Sequence, residues 1–413
     1  MPQTLFEKFI EFAEKKGLSE KLYIVGGAVR DMYMQNELKD IDIAVIGNAL
    51  ELARVFASEA EASYVLLDED FAVARIVKDS QIIDLANMRC GTLDIDLLER
   101  DLTINAMALP LRYASVQDLK QIVDPLNGLS DIENRVVRMV ADENFLKDPL
   151  RLLRVYRFAA TLNYSIENRT REAVASFAEM ITSVPGERVA EELRQILRTG
   201  ESGKIFSLML EDGLFQKIFK KGDPERILSL YCKIENILNS ANDMLPEDFV
   251  KNYPVIICLK LSTLFESEKS LLDFLSAMRI SRRESELTKK YFCDRNAVAN
   301  LYNLKALPDN SEAVSLLMKF KHDIYPLSIL AIALDSKITD YCKSLISFYE
   351  NEFKSRESLL PLINGSDIKK EFNLNASPMF KKILEAVEKE VLEGRITTKE
   401  QALSIALKEI NQI

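Results

Sequence analysis

Short apolar runs separated by polar turns fill the first third of the chain, and amphipathic stretches of helical period fill the rest. Leu22-Tyr23-Ile24-Val25 is too short for a helix and ends at Gly26-Gly27. Asp40-Ile41-Asp42-Ile43-Ala44-Val45-Ile46 opens with polar and apolar positions alternating, the period of a half-buried strand. These patterns predict strands at 22–26, 41–46, 64–67, 72–77 and 81–86, and helices over 4–16, 28–36 and 49–61, the last capped by Asn48. From Leu150 to Ala160 the apolar residues recur at helical spacing; thereafter the helical pattern continues and the breaks fall at points such as Pro185-Gly186 and Asn364-Gly365. The expected fold class is α+β: a small α/β head over 1–135, an all-α neck over 136–215, and a helical body and tail over 216–413.

Composition narrows this picture. With 413 residues, 47% hydrophobic and 29% charged, the chain is a soluble globular protein long enough for more than one core. No apolar run has the length of a membrane span, and Met1-Pro2-Gln3-Thr4-Leu5-Phe6-Glu7 lacks the apolar centre of a signal peptide, so a cytoplasmic location is expected. Cys90, Cys232, Cys258, Cys293 and Cys342 are odd in number and scattered, which predicts reduced thiols. His322 is the sole histidine and excludes any mechanism that needs two. The net charge of −10 speaks against a general nucleic-acid coat. Between Asn134 and Arg171, however, eight basic residues face four acidic ones, a local basic patch suited to a polyanion.

Glycine is scarce, 13 in all, yet two stand together after the first apolar run. A strand that ends in paired glycines and enters a helix leaves backbone N–H groups free to receive phosphate. Asp40 and Asp42, two apart on a strand, project to the same face. Singly, the glycines read equally as a tight turn and the acids as a solvated strand face. Together they make a phosphate cradle beside paired carboxylates, as metal-assisted nucleotidyl transfer requires.

Gly26-Gly27-Ala28-Val29-Arg30-Asp31 with Asp40-Ile41-Asp42 resembles the first motif of the class II tRNA nucleotidyltransferase and bacterial poly(A) polymerase family. Further segments resemble that family's motifs in order. They are Arg100-Asp101-Leu102-Thr103-Ile104-Asn105-Ala106, Asp124-Pro125-Leu126-Asn127-Gly128, Asp148-Pro149-Leu150-Arg151-Leu152-Leu153-Arg154 and Glu187-Arg188-Val189-Ala190-Glu191-Glu192-Leu193. The resemblance implies that Asp40 and Asp42 hold Mg²⁺, which activates an RNA 3′-hydroxyl and neutralises triphosphate charge. Asp84 is a candidate third carboxylate, and equally a solvated strand end. Gly26 and Gly27 would offer backbone N–H groups, and Arg30 and Arg100 fixed charge, to the phosphates. Asp101 and Asn105 would bond the ribose hydroxyls; the alternative is a capping acid and a surface amide.

Asp148 and Arg151 lie three apart, an acceptor beside a fork of donors. Such a pair matches the Watson–Crick edges of cytosine and adenine and mismatches uracil and guanine. Asp148 before Pro149 also reads as a helix N-cap, and the pair as a surface ion pair. Arg154 and Arg157 continue the same face toward triphosphate or primer. Two positions depart from the family pattern: Lys147 stands where Glu is more usual, and Glu99 where a second Arg is. The implied substrates are CTP and/or ATP with the 3′ end of tRNA, and in the body Arg279, Arg282, Arg283, Lys289 and Lys290 would position tRNA by its phosphates. Only ten residues separate Arg89 from Arg100, shorter than the loop of CCA-adding relatives. That leans toward CC addition, with a separate A-adding enzyme acting afterwards. Poly(A) polymerase, an A-adding enzyme and a non-catalytic RNA-binding relative are the alternatives.

Overall fold

The computed structural model describes residues 3–38, 40–88, 91–114, 118–220, 222–240, 244–301, 309–320, 323–375 and 377–411. Arg89, Cys90 and His322 lie outside the described residues. The chain divides into two compact units, residues 1–220 with 277–279, and 221–276 with 280–413. The expected head and neck fall together in the first.

Among the described residues of that unit eight strands are formed: β1 Leu22–Val25, β2 Asp40–Val45, β3 Ser63–Asp68, β4 Val73–Lys78, β5 Gln81–Asn87, β6 Ala108–Pro110, β7 Val136–Val137 and β8 Ser165–Ile166. Among its helices are α1 Leu5–Lys15, α2 Gly27–Tyr33, α3 Ala49–Glu59, α4 Leu93–Leu98, α5 Gly128–Glu133, α6 Glu143–Lys147, α7 Leu150–Leu162, α8 Asn168–Phe177 and α9 Gly186–Leu197. Six strands form one sheet in the order β3-β4-β5-β2-β1-β6, with β2 parallel to β5 and the other pairs antiparallel. The alternation in β2 explains its seat: Ile41 and Ile43 are buried, while Asp40 and Asp42 on the other face remain exposed. Asn48 caps α3 as expected, its side-chain oxygen accepting the Glu51 N–H at 3.1 Å. α2 is shorter than predicted and has seven residues, the chain turning away where Gln35 takes φ +58°.

The segment after α4 is fixed by short-range polar contacts. Asp124 accepts the N–H groups of Gly128 and Leu129 at 2.7 and 2.9 Å, capping α5. A Cβ at Gly128 would stand 2.3 Å from the Thr103 carbonyl oxygen, so only glycine lets α5 come this close to the 3₁₀ turn Thr103–Asn105. Thr103 Oγ1 donates to Asp131 of α5 at 2.6 Å. α7 buries Leu152, Leu153, Val155 and Tyr156 and packs against α9.

The second unit is helical. Its helix Ile324–Leu334 is apolar on all sides and buried from Ile324 to Ala333. Lys260 and Glu235 form a buried ion pair at 2.8 Å near the Tyr231 ring. Burial pulls the Lys260 ammonium below its usual range, and Glu235 opposes this. Cys232, Cys258, Cys293 and Cys342 are free thiols. No helix among the described residues is long and apolar enough to cross a membrane.

Candidate active site

Asp40 and Asp42 stand on the exposed face of β2, and Asp42 is in register with Asp84 on β5. Asp42 keeps solvent access but is hemmed in by protein. That desolvation pushes its carboxyl above the usual range, with the negative charges of Asp84 and Asp40 adding to it and Arg100 opposing. An excess of hard oxygen donors that repel one another suits a divalent cation bound by two carboxylates and substrate oxygens. Asp84 is differently engaged. Arg75 holds it with two bonds, Nε to Oδ1 at 2.9 Å and Nη2 to Oδ2 at 2.8 Å. No group of three His, Cys, Asp or Glu among the described residues is arranged to hold a metal. Asp40 and Asp42 share one face of β2.

Val25, the last residue of β1, is in register with Asp42, so Gly26 follows beside that carboxylate. Gly26 takes φ +73° and ψ −142°, open to glycine and hardly to any other residue. A Cβ there would lie 2.8 Å from Arg100 Nη1 and 3.3 Å from Asp42 Oδ2. The missing side chain thus leaves a space where the carboxylate, the guanidinium and bare backbone converge. Arg100 is aimed by Asp96, whose Oδ2 accepts its Nε and Nη2 at 3.2 and 2.9 Å. α2 is too short to contribute much macrodipole, so Arg100 carries more of the positive field here than the strand-to-helix pattern suggested.

Arg30, Arg154 and Arg157 are each held by a carboxylate. Arg30 is buried, donates to Asn105 Oδ1 at 2.7 Å, pairs with Asp31 at 3.0 Å and lies over the Phe158 ring. Asn105 in turn donates to Asp101 Oδ1 at 3.2 Å. Asp101 Oδ1 also accepts the Leu102 N–H at 2.9 Å, and its Oδ2 accepts Arg154 Nε at 2.7 Å. Burial alone would raise the Asp101 carboxyl; the Arg154 charge and these hydrogen bonds overcome it and hold the group at about 2. A carboxylate offers about four acceptor positions, and three are filled among the described residues. Arg154 and Arg157 share the buried Glu192, at 3.5 and 2.5 Å, and Arg157 stacks on Phe158 at 3.7 Å.

Arg100, Asp101, Asp148, Arg151 and Arg154 do meet, in the wall of one pocket of about 220 Å³. Asp148 is not the side-chain N-cap of α7 in the usual sense: it accepts Leu150 N–H at 3.3 Å but pairs chiefly with Arg188 at 2.9 Å. Arg151 Nη1 donates to the carbonyl oxygens of Glu99 and Asn144 at 2.8 and 3.3 Å. Asn144 Nδ2 bonds the carbonyls of Leu98 and Arg100 at 2.9 and 2.8 Å, stitching α6 to the end of α4. The two departures from the family pattern face one another. Lys147 Nζ donates to Glu99 Oε1 at 3.1 Å, so the two departures are paired with one another.

Arg188 lines the pocket and was not among the residues singled out; its place within a motif was the only sequence signal. The basic stretch 134–171 is not an open patch. Arg138 pairs with Asp131 and Glu167, Arg171 with Glu211 and Asp212, Arg154 with Asp101 and Lys147 with Glu99. In the body, Arg282 pairs with Glu286 at 2.8 Å, Lys289 with Glu268 at 2.9 Å, and Lys290 with Asp323.

Comparison with known proteins matches residues 22–138 to the poly A polymerase head domain. Residues 163–226 match a probable RNA and SrmB binding site of polymerase A, and 296–407 a putative tRNA nucleotidyltransferase domain 2. The CC-adding tRNA nucleotidyltransferase of Synechocystis sp. is 27% identical over 396 residues, covering 93% of this chain and 92% of that protein. The CCA-adding enzyme of Geobacillus sp. is 26% identical over 395 residues, covering 91% and 89%. The Thermotoga maritima CCA-adding enzyme, solved in complex with tRNA, has the same fold, with a TM-score of 0.72 at 22% identity over 98% of this chain and 95% of that one.

Proposed function

The chain belongs to the tRNA nucleotidyltransferase and poly(A) polymerase family, and on that premise we propose that it adds cytidylates from CTP to the 3′ end of tRNA without a template, stopping at CC. The pocket shared by Arg100, Asp101, Asp148 and Arg151 carries this reading. There Asp148 would accept the exocyclic amine of cytosine while the Arg151 guanidinium donates to the ring nitrogen and its neighbouring oxygen. Uracil and guanine would set donor against donor. Asp101 takes a ribose hydroxyl. Arg100 and the space above Gly26 and Gly27 receive the triphosphate. Asp40 and Asp42 would hold Mg²⁺, which when bound lowers the pKa of the attacking 3′-hydroxyl and offsets charge on the phosphates.

Relatives named for CC and for CCA addition match almost equally well, at 27% and 26%, so likeness does not choose the product. The short segment before Arg100 supports CC. Six of its ten residues, Leu93–Leu98, are helical, which leaves little chain for a flexible loop. The test is a tRNA lacking its 3′ end, offered CTP alone, ATP alone and both. Extension by CC with no further A is expected; full CCA overturns the product, and no extension overturns the activity. A separate A-adding enzyme would then complete the end.

Two variants probe the site. Gly26→Ala forces a Cβ into the space beside Arg100 and Asp42 in a backbone conformation that costs about 1–3 kcal/mol. Single-turnover CTP incorporation should fall roughly a hundredfold, the usual cost of ångström-scale misplacement of reacting groups. Glu99→Arg or Lys147→Glu alone should each slow incorporation about threefold to fivefold, matching up to ~1 kcal/mol for a half-exposed ion pair. The double exchange should restore the rate; a double variant as slow as the product of the singles would mean the pair does not position Arg151.

A further inference from the structure

The inner pocket opens into a larger cavity of about 920 Å³. The two share Asp96, Arg100, Asp148, Arg151 and Arg188, but the larger one continues to the turn between β3 and β4. That turn presents Phe71, which at 67% exposure is the most exposed large apolar side chain among the described residues. The ring is not carried on a slack loop. Asp68 Oδ1 accepts the Phe71 N–H at 2.9 Å, Ala72 N–H donates to the Glu69 carbonyl at 3.2 Å, and Ala72 takes φ +49°, uncommon for a residue with a Cβ. An aromatic ring held in water on a tied turn, in the wall of a cavity that also includes Arg100, Arg151 and Arg188, is placed to receive a flat partner.

Resting on the function proposed above, we infer that Phe71 is a stacking platform for the terminal base of the RNA acceptor. The incoming nucleotide is read by its edge in the inner pocket, whose wall does not include Phe71. The outer arm carries the carboxylates of Asp68 and Asp70 beside the apolar Val73, which repel a phosphate and tolerate a base. Stacking is also the right mode of recognition for this task. The acceptor's last base changes after each addition, and every base offers a π-face whatever its edge.

Phe71→Ala is expected to raise the KM for a tRNA acceptor about tenfold, the usual loss of one base–aromatic stack. The KM for CTP should stay within about twofold, since Phe71 does not line the inner pocket that reads the incoming nucleotide. Phe71→Trp should keep the wild-type values. An acceptor with an abasic terminal nucleotide supplies the second arm: the wild type should lose about tenfold on it, and Phe71→Ala nothing further. Equal unfolding midpoints for variant and wild type establish that the exposed ring is not structural. An unchanged acceptor KM, or a rise in the KM for CTP instead, overturns the inference. If wild-type protein extends no acceptor with CTP or ATP, the proposed function fails; if it extends them and Phe71→Ala matches it, only the stacking role fails.

Discussion

Asp42→Ala is expected to abolish nucleotide incorporation, by roughly a thousandfold or more, while leaving tRNA binding within about twofold of wild type. The loss follows from the donor set. Asp84, which shares register with Asp42, is already held by both arms of Arg75 and is not free to substitute. Removing one of the two carboxylates on β2 leaves Asp40 alone, and a single oxygen ligand does not hold a cation against water and triphosphate. The same change relieves the repulsion that Asp84 and Asp40 exert on Asp42. The variant should therefore unfold at the wild-type temperature or slightly above it, a separation of activity from stability expected of a functional charge cluster. Filter binding of tRNA, single-turnover CTP incorporation and calorimetry on the same preparation check all three. Loss of tRNA binding in step with activity would remove the metal assignment.

Asp101→Asn should have the largest effect on stability. Asp101 is buried and Arg154 partly so, and Arg154 shares its remaining partner, Glu192, with Arg157. Without the Asp101 charge, two guanidiniums compete for one buried carboxylate. Breaking a buried pair costs about 3–5 kcal/mol, and the partial exposure of Arg154 reduces this to roughly 2–3. The unfolding midpoint should drop by about 5–10 °C. The linkage to pH has a definite sign. The folded carboxyl sits at about 2, below the unfolded value near ~3.9, so its contribution is complete above about pH 4 and disappears as pH falls toward 2. That contribution, on the order of 2 kcal/mol, should be missing from the acid limb of the Asp101→Asn unfolding curve. Identical limbs for variant and wild type would show that Arg154 does not hold the carboxyl.

Strand alternation and paired glycines made the core of the head legible, because both patterns are local. β2 and Asn48 as a cap needed only neighbours in sequence to be read. β6 went unread because its three residues, two at the end of the buried run Ile104–Leu109 and then Pro110, carry no period to distinguish strand from turn. The basic stretch 134–171 was misjudged for a physical reason. Its partners Asp101, Glu99, Glu192 and Asp212 come from outside the stretch, so counting charge within it overstated the free positive field. Arg30 and Asn105 were readable as members of a motif but not as mutually bound; hydrogen bonding across 75 residues has no signature in spacing. Arg188 reaches Asp148 over 40 residues and was hidden in the same way.

The couple of Lys147 and Glu99 has a consequence for exchanging parts between family members. A segment grafted from a relative with the usual polarity would bring Glu to position 147 opposite the resident Glu99, or Arg to position 99 opposite the resident Lys147. Either chimera sets like charges together beside the carbonyl that Arg151 grips. The end of α4 and the end of α6 are therefore best exchanged as a matched set, and a graft that carries both across should keep the rate that either half alone slows about threefold to fivefold.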